Sequence, residues 1–391
     1  MEDGIPDSGS HLASLSEVAR EWTRIGCVGF GGPPTHIALL RRLCVDERRW
    51  MEAEDFEDAV AACNLLTGPA STQLAIYCAW RVRGRIGAAI GAAGFILPGL
   101  VMITALAALF LSGSPPDVVL GAGAGAGAAV AAVALRSGGD LLRPSWQRTA
   151  SRARWSAYVG AGALAAVVAG PRLVLVLVAC GAVELLWRGA MGGRDGRAPG
   201  LAPLPVLATG LAAGTFASLG WVAFKVGALS YGGGFVIIPL MQADAVGRYG
   251  WMSDPEFLNA VALGQVTPGP VVLTVAVVGY AAAGLVGAVF AAAVAFSPSF
   301  LFIVIGGRHF DRLRGDPRAQ GFLAGAGPAA IGAILGAAVP LARALSEGWQ
   351  FAVLAAAIVA VLVARRDVVP TLLAAAATGA AGALLDVPLP G

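Results

Sequence analysis

The amino-acid sequence predicts an all-α polytopic membrane protein built from two inverted-topology repeats, and three observations predict this fold class. The 391 residues are 57% hydrophobic and only 13% charged, with a mean hydropathy of +0.74, whereas a soluble chain carries about 25% charged residues. The apolar residues lie in blocks of about 16 to 25, the length that crosses a bilayer core. The second half of the sequence also repeats motifs of the first. A single soluble domain is excluded.

Arginine-rich clusters orient the predicted spans. The positive-inside rule places five of them in the cytoplasm, at 81–85, 136–154, 188–197, 308–318 and 365–366. About nine full spans then alternate between the two sides, and four further segments are broken by glycine and proline, which gives about 13 crossings if the broken segments count as spans. The N-terminus is predicted to be cytoplasmic and the C-terminus external. The lipid bilayer is the first predicted partner.

Glycine and proline interrupt two apolar segments in each half. In the first half these segments are 22–43, broken at 29–34, and 58–80, broken at Thr67-Gly68-Pro69. Such breaks at membrane depth are typical of re-entrant or discontinuous helices that line a cavity enclosed by protein. The arginines between the two segments favour re-entrant hairpins. The sequence leaves full crossings open as well.

A shift of 201 residues aligns the two halves. Trp50-Met51 then meets Trp251-Met252, and Gly68-Pro69 meets Gly269-Pro270. Loop 81–85 carries three arginines whereas its counterpart 281–285 carries no charge, so the halves are predicted to face opposite sides of the membrane. The predicted division is a polar N-terminal tail (1–13), a first repeat (14–197) and a second, inverted repeat (201–391) that includes an extra inverting span (203–220).

These motifs resemble the chromate transporter family in its long, two-domain form. The resemblance covers nearly the whole chain from residue 14 onward and rests on Gly26-x-x-x-Phe30-Gly31-Gly32-Pro33, Tyr231-Gly232-Gly233-Gly234 and Pro268-Gly269-Pro270. It implies a carrier of the bacterial inner membrane that expels chromate, with sulfate as the related oxyanion. Thr67 departs from the Pro-Gly-Pro motif that the family commonly shows at this break. A homodimer is the one protein partner considered.

The breaks also predict an anion site. A half-helix that starts after a break directs unpaired N–H groups and the positive end of its dipole into the cavity, where a tetrahedral dianion can accept hydrogen bonds. Nearby hydroxyl and amide groups add neutral donors. The alternative is that the glycines allow close helix packing and the hydroxyls satisfy freed carbonyls. The candidate substrate-binding residues are Gly31, Gly32, Gly68, Pro69, Ser71, Thr72, Gln73, Tyr231, Gly232, Gly233, Gln265, Thr267, Gly269 and Pro270.

Three charged residues are candidates for attracting the anion or coupling its movement. Lys225, the only lysine, lies in an apolar run and meets Arg24 in the repeat register, which predicts a pseudo-symmetric pair of substrate-binding cations. Asp244 is the candidate for proton coupling, since a carboxylate at membrane depth is costly. The simpler alternative is that Lys225 anchors the outer end of its segment and Asp244 is hydrated at the membrane surface.

Two local patterns predict structure rather than chemistry. Ser14 and Glu17 form a candidate capping box for a helix whose apolar stripe, with Val18, Trp22 and Ile25, suits the membrane surface. The alternating glycines and alanines at 121–127 predict a packing face inside a span rather than a nucleotide-binding loop.

The sequence excludes several function classes. A single lysine leaves no Gly-Lys-Ser/Thr phosphate loop, the three histidines form no HExxH motif, and the five cysteines form no CxxC pair. The net charge of +3 is too small to indicate a nucleic-acid partner. We predict no enzyme activity, no cofactor and no metal site. The predicted function is a secondary transporter, expected to be an antiporter, that exports chromate or a related oxyanion by alternating access. The alternatives are a passive anion channel and a carrier for a different small anion.

Overall fold

The computed structural model describes residues 13–65, 68–191, 214–230, 234–306 and 316–390, and every regular element in these ranges is helical. The all-α prediction is therefore confirmed for this part of the chain. The helices of the first half are α1 Leu15–Val28, α2 Pro33–Arg41, α3 Ala53–Leu65, α4 Ala70–Phe110, α5 Asp117–Gln147, α6 Arg152–Val168 and α7 Leu173–Met191. Those of the second half are α8 Thr215–Leu229, α9 Ile237–Gln242, α10 Asp254–Val266, α11 Thr274–Gly306, α12 Pro317–Arg343, α13 Gly348–Ile358 and α14 Val368–Leu384.

Helices α4 and α11 each consist of two helices joined by a tight reversal. At Gly84 and Gly284 the backbone leaves the helical region, and both glycines have a φ of +62°. A side chain on Gly91 would collide with Ala79, although a continuous helix would hold these residues about 18 Å apart. The reversals fall in the two loops predicted from the sequence. Each helix thus has a short and a long arm, which we call α4a (70–82), α4b (85–110), α11a (274–282) and α11b (285–306).

Ion pairs show that the broken segments of the first half are antiparallel hairpins. Arg48 follows the π-helical turn Arg42–Glu47 and donates to Glu21 of α1 at 2.9 Å, which closes hairpin 1 (residues 15–48). Asp55 of α3 pairs with Arg81 of α4a at 3.0 Å and closes hairpin 2 (residues 53–82). In each hairpin the first residue of the ion pair comes before the glycine break and the second comes after it. The chain therefore returns to the side from which it started, and the break forms the apex.

The second half forms the corresponding hairpins. Lys225 of α8 pairs with Asp244 in the π-helical turn Ala243–Arg248, which closes hairpin 3 (residues 215–248). The apex residues 231–233 of this hairpin lie outside the described residues. Gly264 of α10 packs against the Thr274 side chain in hairpin 4 (residues 254–282). The two π-helical turns are 201 positions apart, as the predicted repeat requires.

Hairpins 1 and 2 open toward one end of the molecule, and hairpin 4 opens toward the other. The open end of hairpin 2 continues through the reversal at Gly84 into the start of α4b, and an ion pair between Arg41 and Glu57 at 3.1 Å joins hairpin 1 to it. Hairpin 4 instead packs Asn259 against Gly123, near the start of α5. Since α5 begins after α4b has ended, hairpins 1 and 2 open at the start of α4b and hairpin 4 opens toward its end.

The remaining helices pack through small residues. Gly162 of α6 contacts the backbone of α12 at Ala329 without any intervening side chain. Gly121, in the glycine-alanine run of α5, meets Gly379 of α14 in the same way. The prediction of a packing face at 121–127 is confirmed, because close approach of helix backbones requires residues of this size.

Helix α1 begins where the sequence predicts but packs elsewhere. The Ser14 hydroxyl accepts from Glu17 N at 3.1 Å, and the Glu17 carboxylate accepts from Ser14 N at 2.9 Å, so the capping box is confirmed. Val18, Trp22 and Ile25 are at most 1% exposed and form part of the core around α4. The prediction of a helix at the membrane surface was therefore wrong, because its apolar stripe packs against α4 in the protein interior.

Four of the described helical segments are long and apolar enough to cross a membrane, and shorter apolar helices accompany them. The outward faces of the long arms carry large apolar side chains such as Val101 and Leu285, which are more exposed than core residues and suit lipid contact. The total of nine spans plus four broken segments stays a prediction. Of the inverting span 203–220, residues 203–213 lie outside the described residues and 215–220 belong to α8. Residues 1–12 of the predicted tail also lie outside them. The long segments are Ala70–Phe110, Asp117–Gln147, Val271–Gly306 and Pro317–Arg343.

Candidate functional site

The hairpin apices meet in two equivalent contacts. At the apex of hairpin 2, Gly68 N–H donates to the Ser230 carbonyl of hairpin 3 at 2.8 Å. At the apex of hairpin 4, Gly269 N–H donates to the Gly29 carbonyl of hairpin 1 at 3.0 Å. The two donors, Gly68 and Gly269, are 201 positions apart, and so are the two acceptors, Gly29 and Ser230. The shift of 201 residues that aligns the halves therefore converts one hydrogen bond into the other. This exchange is the pattern that a two-fold relation between the halves predicts.

This meeting point lies in the middle of the long arms. Gly99, in the middle third of α4b, packs against the backbone of Pro268. Ser299, in the middle third of α11b, has its Oγ 3.0 Å from the position that a Cβ on Gly68 would take. The apices therefore come together about halfway between the two ends of the crossing arms.

Helices of the first half start at this meeting point. Helix α2 begins at Pro33 after Gly32, and α4a begins at Ala70 after Pro69, as predicted from the glycine breaks. No side chain in the described part of the chain caps either start. In α4a the first N–H groups have no intrahelical acceptor, and the positive end of the helix dipole favours an anion. In α2 the first two residues are prolines and have no N–H group, so this helix start offers fewer backbone donors. The φ angles of +75° at Gly32 and +120° at Gly68 are conformations that glycine adopts readily.

His36 holds the apices of hairpins 1 and 2 together. Its side chain is fully buried, with Nε2 2.9 Å from the Gly29 carbonyl, Nδ1 3.2 Å from Ser71 Oγ, and its ring edge against Phe95. A carbonyl only accepts, so Nε2 donates and a neutral ring leaves Nδ1 to accept from the Ser71 hydroxyl. The Ser71 proton is therefore already in use within the protein.

The other predicted polar residues lie beside the apices in different states. Thr72 and Gln73 are fully buried next to the apex of hairpin 2, and the Gln73 amide nitrogen is 2.5 Å from the Cβ position of Gly68. Gln265 is nearly buried, and its amide nitrogen has no partner among the described residues. Thr267 donates to the Leu263 carbonyl at 2.8 Å. The predicted site residues Tyr231, Gly232 and Gly233 lie outside the described residues, while Gly31, Gly269 and Pro270 lie at their apices.

Lys225 and Asp244 form a buried ion pair. The Asp244 side chain is 1% exposed and that of Lys225 is 11% exposed. The lysine ammonium also lies 5.8 Å from the centre of the Trp221 ring, a cation–π contact. The second carboxylate oxygen, Oδ1, has no hydrogen-bond partner within the described ranges. The pair is thus the charged group closest in sequence to the apex of hairpin 3.

Arg24 occupies a different setting from its register partner Lys225. Its side chain is 55% exposed and pairs with Glu21 at 3.0 Å and with Glu47 at 3.7 Å. These partners hold it toward the open end of hairpin 1 and away from the apex. The structure therefore does not bring Arg24 and Lys225 together, and each belongs to its own hairpin.

Sequence reasoning missed Ser299. This residue is fully buried in α11b, and its hydroxyl has no partner in the part of the chain that the structure describes. A signal was present in the sequence, because Pro298 meets Pro98 in the repeat register and α11b contains only two hydroxyl residues. The contact between Ser299 and the apex of hairpin 2 joins residues far apart in the sequence, so the sequence alone does not reveal it.

Comparison with known proteins identifies the family. The sequence profile described as "Chromate transporter" matches residues 16–185 and 217–383, one match in each half. The chain belongs to the chromate transporter family. Members of this family are transporters and not enzymes, and the chain is a multi-pass membrane protein.

Three relatives resemble the chain over most of its length. It is 31% identical to the "Chromate transport protein" of Cupriavidus metallidurans, covering 89% of this chain and 88% of the relative. It is 30% identical to the "Probable chromate transport protein" of Synechococcus elongatus, covering 84% and 85%. It is also 30% identical to the "Chromate transport protein" of Pseudomonas aeruginosa, covering 85% and 82%. No solved structure matches the chain.

Proposed function

We propose that this chain exports chromate, or a related oxyanion such as sulfate, across the bacterial inner membrane as a secondary transporter that works by alternating access. The observation that carries the proposal is the pair of exchanging hydrogen bonds between the hairpin apices. Broken helices that meet between two related halves are typical of the substrate sites of secondary transporters. The names of the relatives support chromate as the substrate.

The proposal includes opposite orientations of the two halves in the membrane. It is supported by the opposite opening directions of hairpins 2 and 4, and by the arginines at 81, 83 and 85 that have no charged counterparts at 281–285. The positive-inside rule then makes the open ends of hairpins 1 and 2 cytoplasmic, with the N-terminus inside and the C-terminus outside. The repeats are 14–197 and 201–391, and the second repeat includes the extra inverting span 203–220.

Binding uses fixed backbone donors with neutral side chains around them. The N–H groups at the start of α4a, together with donors such as Thr72 and Gln73, replace water around the anion. The apices contact one another in the described conformation, and Thr72 and Gln73 are fully buried. Access therefore requires one pair of hairpins to move away from the other.

Lys225 and Asp244 link anion binding to protonation in this proposal. While Asp244 is ionised, it neutralises Lys225, and the lysine attracts an anion weakly. Protonation of Asp244 removes that partner and leaves Lys225 to attract the dianion. Lys225 lies about 8 Å along α8 from Ser230. Arg24 serves as the attracting cation at the open end of hairpin 1.

The transport proposal is tested by counterflow in proteoliposomes. Vesicles containing the purified protein are loaded with unlabelled chromate, diluted into a trace of radiolabelled chromate, and held at zero membrane potential with valinomycin and potassium. A carrier gives a transient accumulation of label above the external concentration, because the unlabelled anion competes for exit. External sulfate should reduce the overshoot. Equilibration without an overshoot would indicate a passive channel, and no uptake of either anion would contradict the proposal altogether.

A further inference from the structure

The two contacts between hairpin apices share a backbone geometry but differ in the side chains around them. We call the surroundings of Gly68 the Gly68 cleft and those of Gly269 the Gly269 cleft. At Gly68 the Cβ position lies 2.5 Å from the Gln73 amide nitrogen and 3.0 Å from Ser299 Oγ. At Gly269 the nearest side chain is that of Leu273, with Cδ1 at 3.2 Å. The side chains nearest to the Cβ position are therefore polar at Gly68 and apolar at Gly269.

The repeat register shows this difference at three further positions. At these positions polar residues of the Gly68 cleft are matched in the Gly269 cleft by residues without hydrogen-bonding side chains, whereas Gln73 meets Thr274, whose hydroxyl donates to the Val271 carbonyl. Under the shift of 201 residues, or 200 after the single gap, Ser71, Thr72 and Ser299 meet Val272, Leu273 and Gly99. Two sites related by the repeat have thus kept the same fold with different chemistry.

Unpartnered hydroxyls distinguish the two clefts further. Thr72, Ser230 and Ser299 are all fully buried, and the hydroxyl of each has no partner among the described residues. By contrast, the hydroxyls of Thr267 and Thr274 in hairpin 4 donate to the carbonyls of Leu263 and Val271, each at 2.8 Å. Buried hydroxyls without a partner cost free energy and are rare in folded proteins. Three of them lie around one apex, where a ligand with hydrogen-bond acceptors would satisfy all three.

We propose that the protein has a single oxyanion site, the Gly68 cleft, and that Ser299 is one of its substrate-binding residues. This inference rests on the proposed transport function and adds the position and number of the sites. A tetrahedral oxyanion accepts at each of its four oxygens, so the hydroxyl of Ser299, the Gln73 amide and the start of α4a can all donate to one ion. The Gly269 cleft then serves as the contact on which the hairpins turn.

The single site requires the Gly68 contact to open during transport. In the described conformation the bond from Gly68 N–H to the Ser230 carbonyl joins hairpins 2 and 3 directly across the cleft. Separation of these two hairpins exposes the hydroxyls of Thr72, Ser230 and Ser299 together. Hairpins 1 and 4 can remain in contact through Gly29 during this step, because their cleft binds no anion.

The test compares Ser299→Ala with a matched control on the same helix. Ser297 lies two residues away in α11b, is exposed, and donates to the Val294 carbonyl at 2.8 Å. The measurement is the initial rate of radiolabelled chromate uptake by proteoliposomes as a function of chromate concentration. We expect Ser299→Ala to raise the KM for chromate roughly tenfold or more, because a hydrogen bond to a charged group is lost. Ser297→Ala and Thr274→Val, in the Gly269 cleft, should stay within about twofold of wild type.

Thermal unfolding separates a binding role from a structural one. Without anion, Ser299→Ala should unfold at the wild-type temperature or above it, since it removes an unsatisfied buried hydroxyl. Added sulfate should raise the unfolding temperature of the wild type and of Ser297→Ala, and raise that of Ser299→Ala much less. A wild-type KM in Ser299→Ala, or an equal rise in Thr274→Val, would overturn the single site while leaving transport established. A wild-type protein that transports neither chromate nor sulfate would overturn the proposed function and this inference with it.

Discussion

Gly68→Val is expected to abolish chromate transport while the protein still reaches the membrane. The new side chain would collide with the Gln73 amide and crowd Ser299 Oγ, and Gly68 has a φ of +120°. Backbone strain and overpacking of this kind each cost about 1–3 kcal/mol. A loss of about 3 kcal/mol in anion binding alone lowers the occupancy of the site by more than 100-fold. Uptake by proteoliposomes at equal protein content measures the effect.

Gly113→Val is the matched control for this substitution. Gly113 lies in the turn between α4b and α5, and no described atom lies within 4 Å of its Cβ position. It should transport at the wild-type rate. Gly32→Val should reduce transport less than Gly68→Val and more than Gly113→Val. The φ of +75° and ψ of −156° at Gly32 are strained for valine, although no described atom lies within 4 Å of its Cβ position. Full chromate transport by Gly68→Val would show that the apex of hairpin 2 does not form the site.

Lys225→Ala is expected to raise the KM for chromate at least tenfold and to lower the stability of the protein. Removal of the lysine leaves the Asp244 carboxylate, 1% exposed, without its charged partner, and breaking a buried ion pair in this way costs about 3–5 kcal/mol. Lys225→Arg should retain substantial transport, because the role needs a positive charge more than a particular geometry. Asp140→Asn, at the exposed pair with Arg136, should change stability by less than about 1 kcal/mol.

Variants of Asp244 separate the coupling role from an anchoring role. In Asp244→Asn the uncharged amide no longer neutralises Lys225, so the KM for chromate should fall below the wild-type value. The double variant Lys225→Ala/Asp244→Asn should recover stability but not chromate affinity. If the double variant transports chromate with the wild-type KM, the pair is only an anchor for hairpin 3.

The sequence predicted the breaks and the repeat because their signals are local. Glycine and proline at 29–34 and 67–69 interrupt apolar runs regardless of what surrounds them, and the shift of 201 residues compares the halves directly. The ion pairs at Arg48 and Arg81 show that both broken segments fold back as antiparallel hairpins. That these hairpins are re-entrant rather than full crossings stays a prediction. The breaks and the repeat required no knowledge of contacts between distant residues.

Pairings across the fold could not be predicted in this way. The contact between Gly68 and Ser230 joins residues far apart in the sequence, and it alone places Ser299 beside the apex. The repeat register suggested that Arg24 and Lys225 act together, but each is held by a different carboxylate of its own hairpin. Helix α1 shows the same limit, because an apolar stripe such as that of Trp22 fits a lipid surface and a protein interior equally well.

The opposite orientation of the two halves is tested most directly by labelling of single cysteines. In a variant whose five native cysteines are replaced by alanine, Arg83→Cys and Ala283→Cys are each placed at one of the two helix reversals. A membrane-impermeant maleimide is added to intact cells and to inverted vesicles. We expect Arg83→Cys to react only in inverted vesicles and Ala283→Cys to react only in intact cells. Reaction of both cysteines from the same side would contradict the opposite orientation.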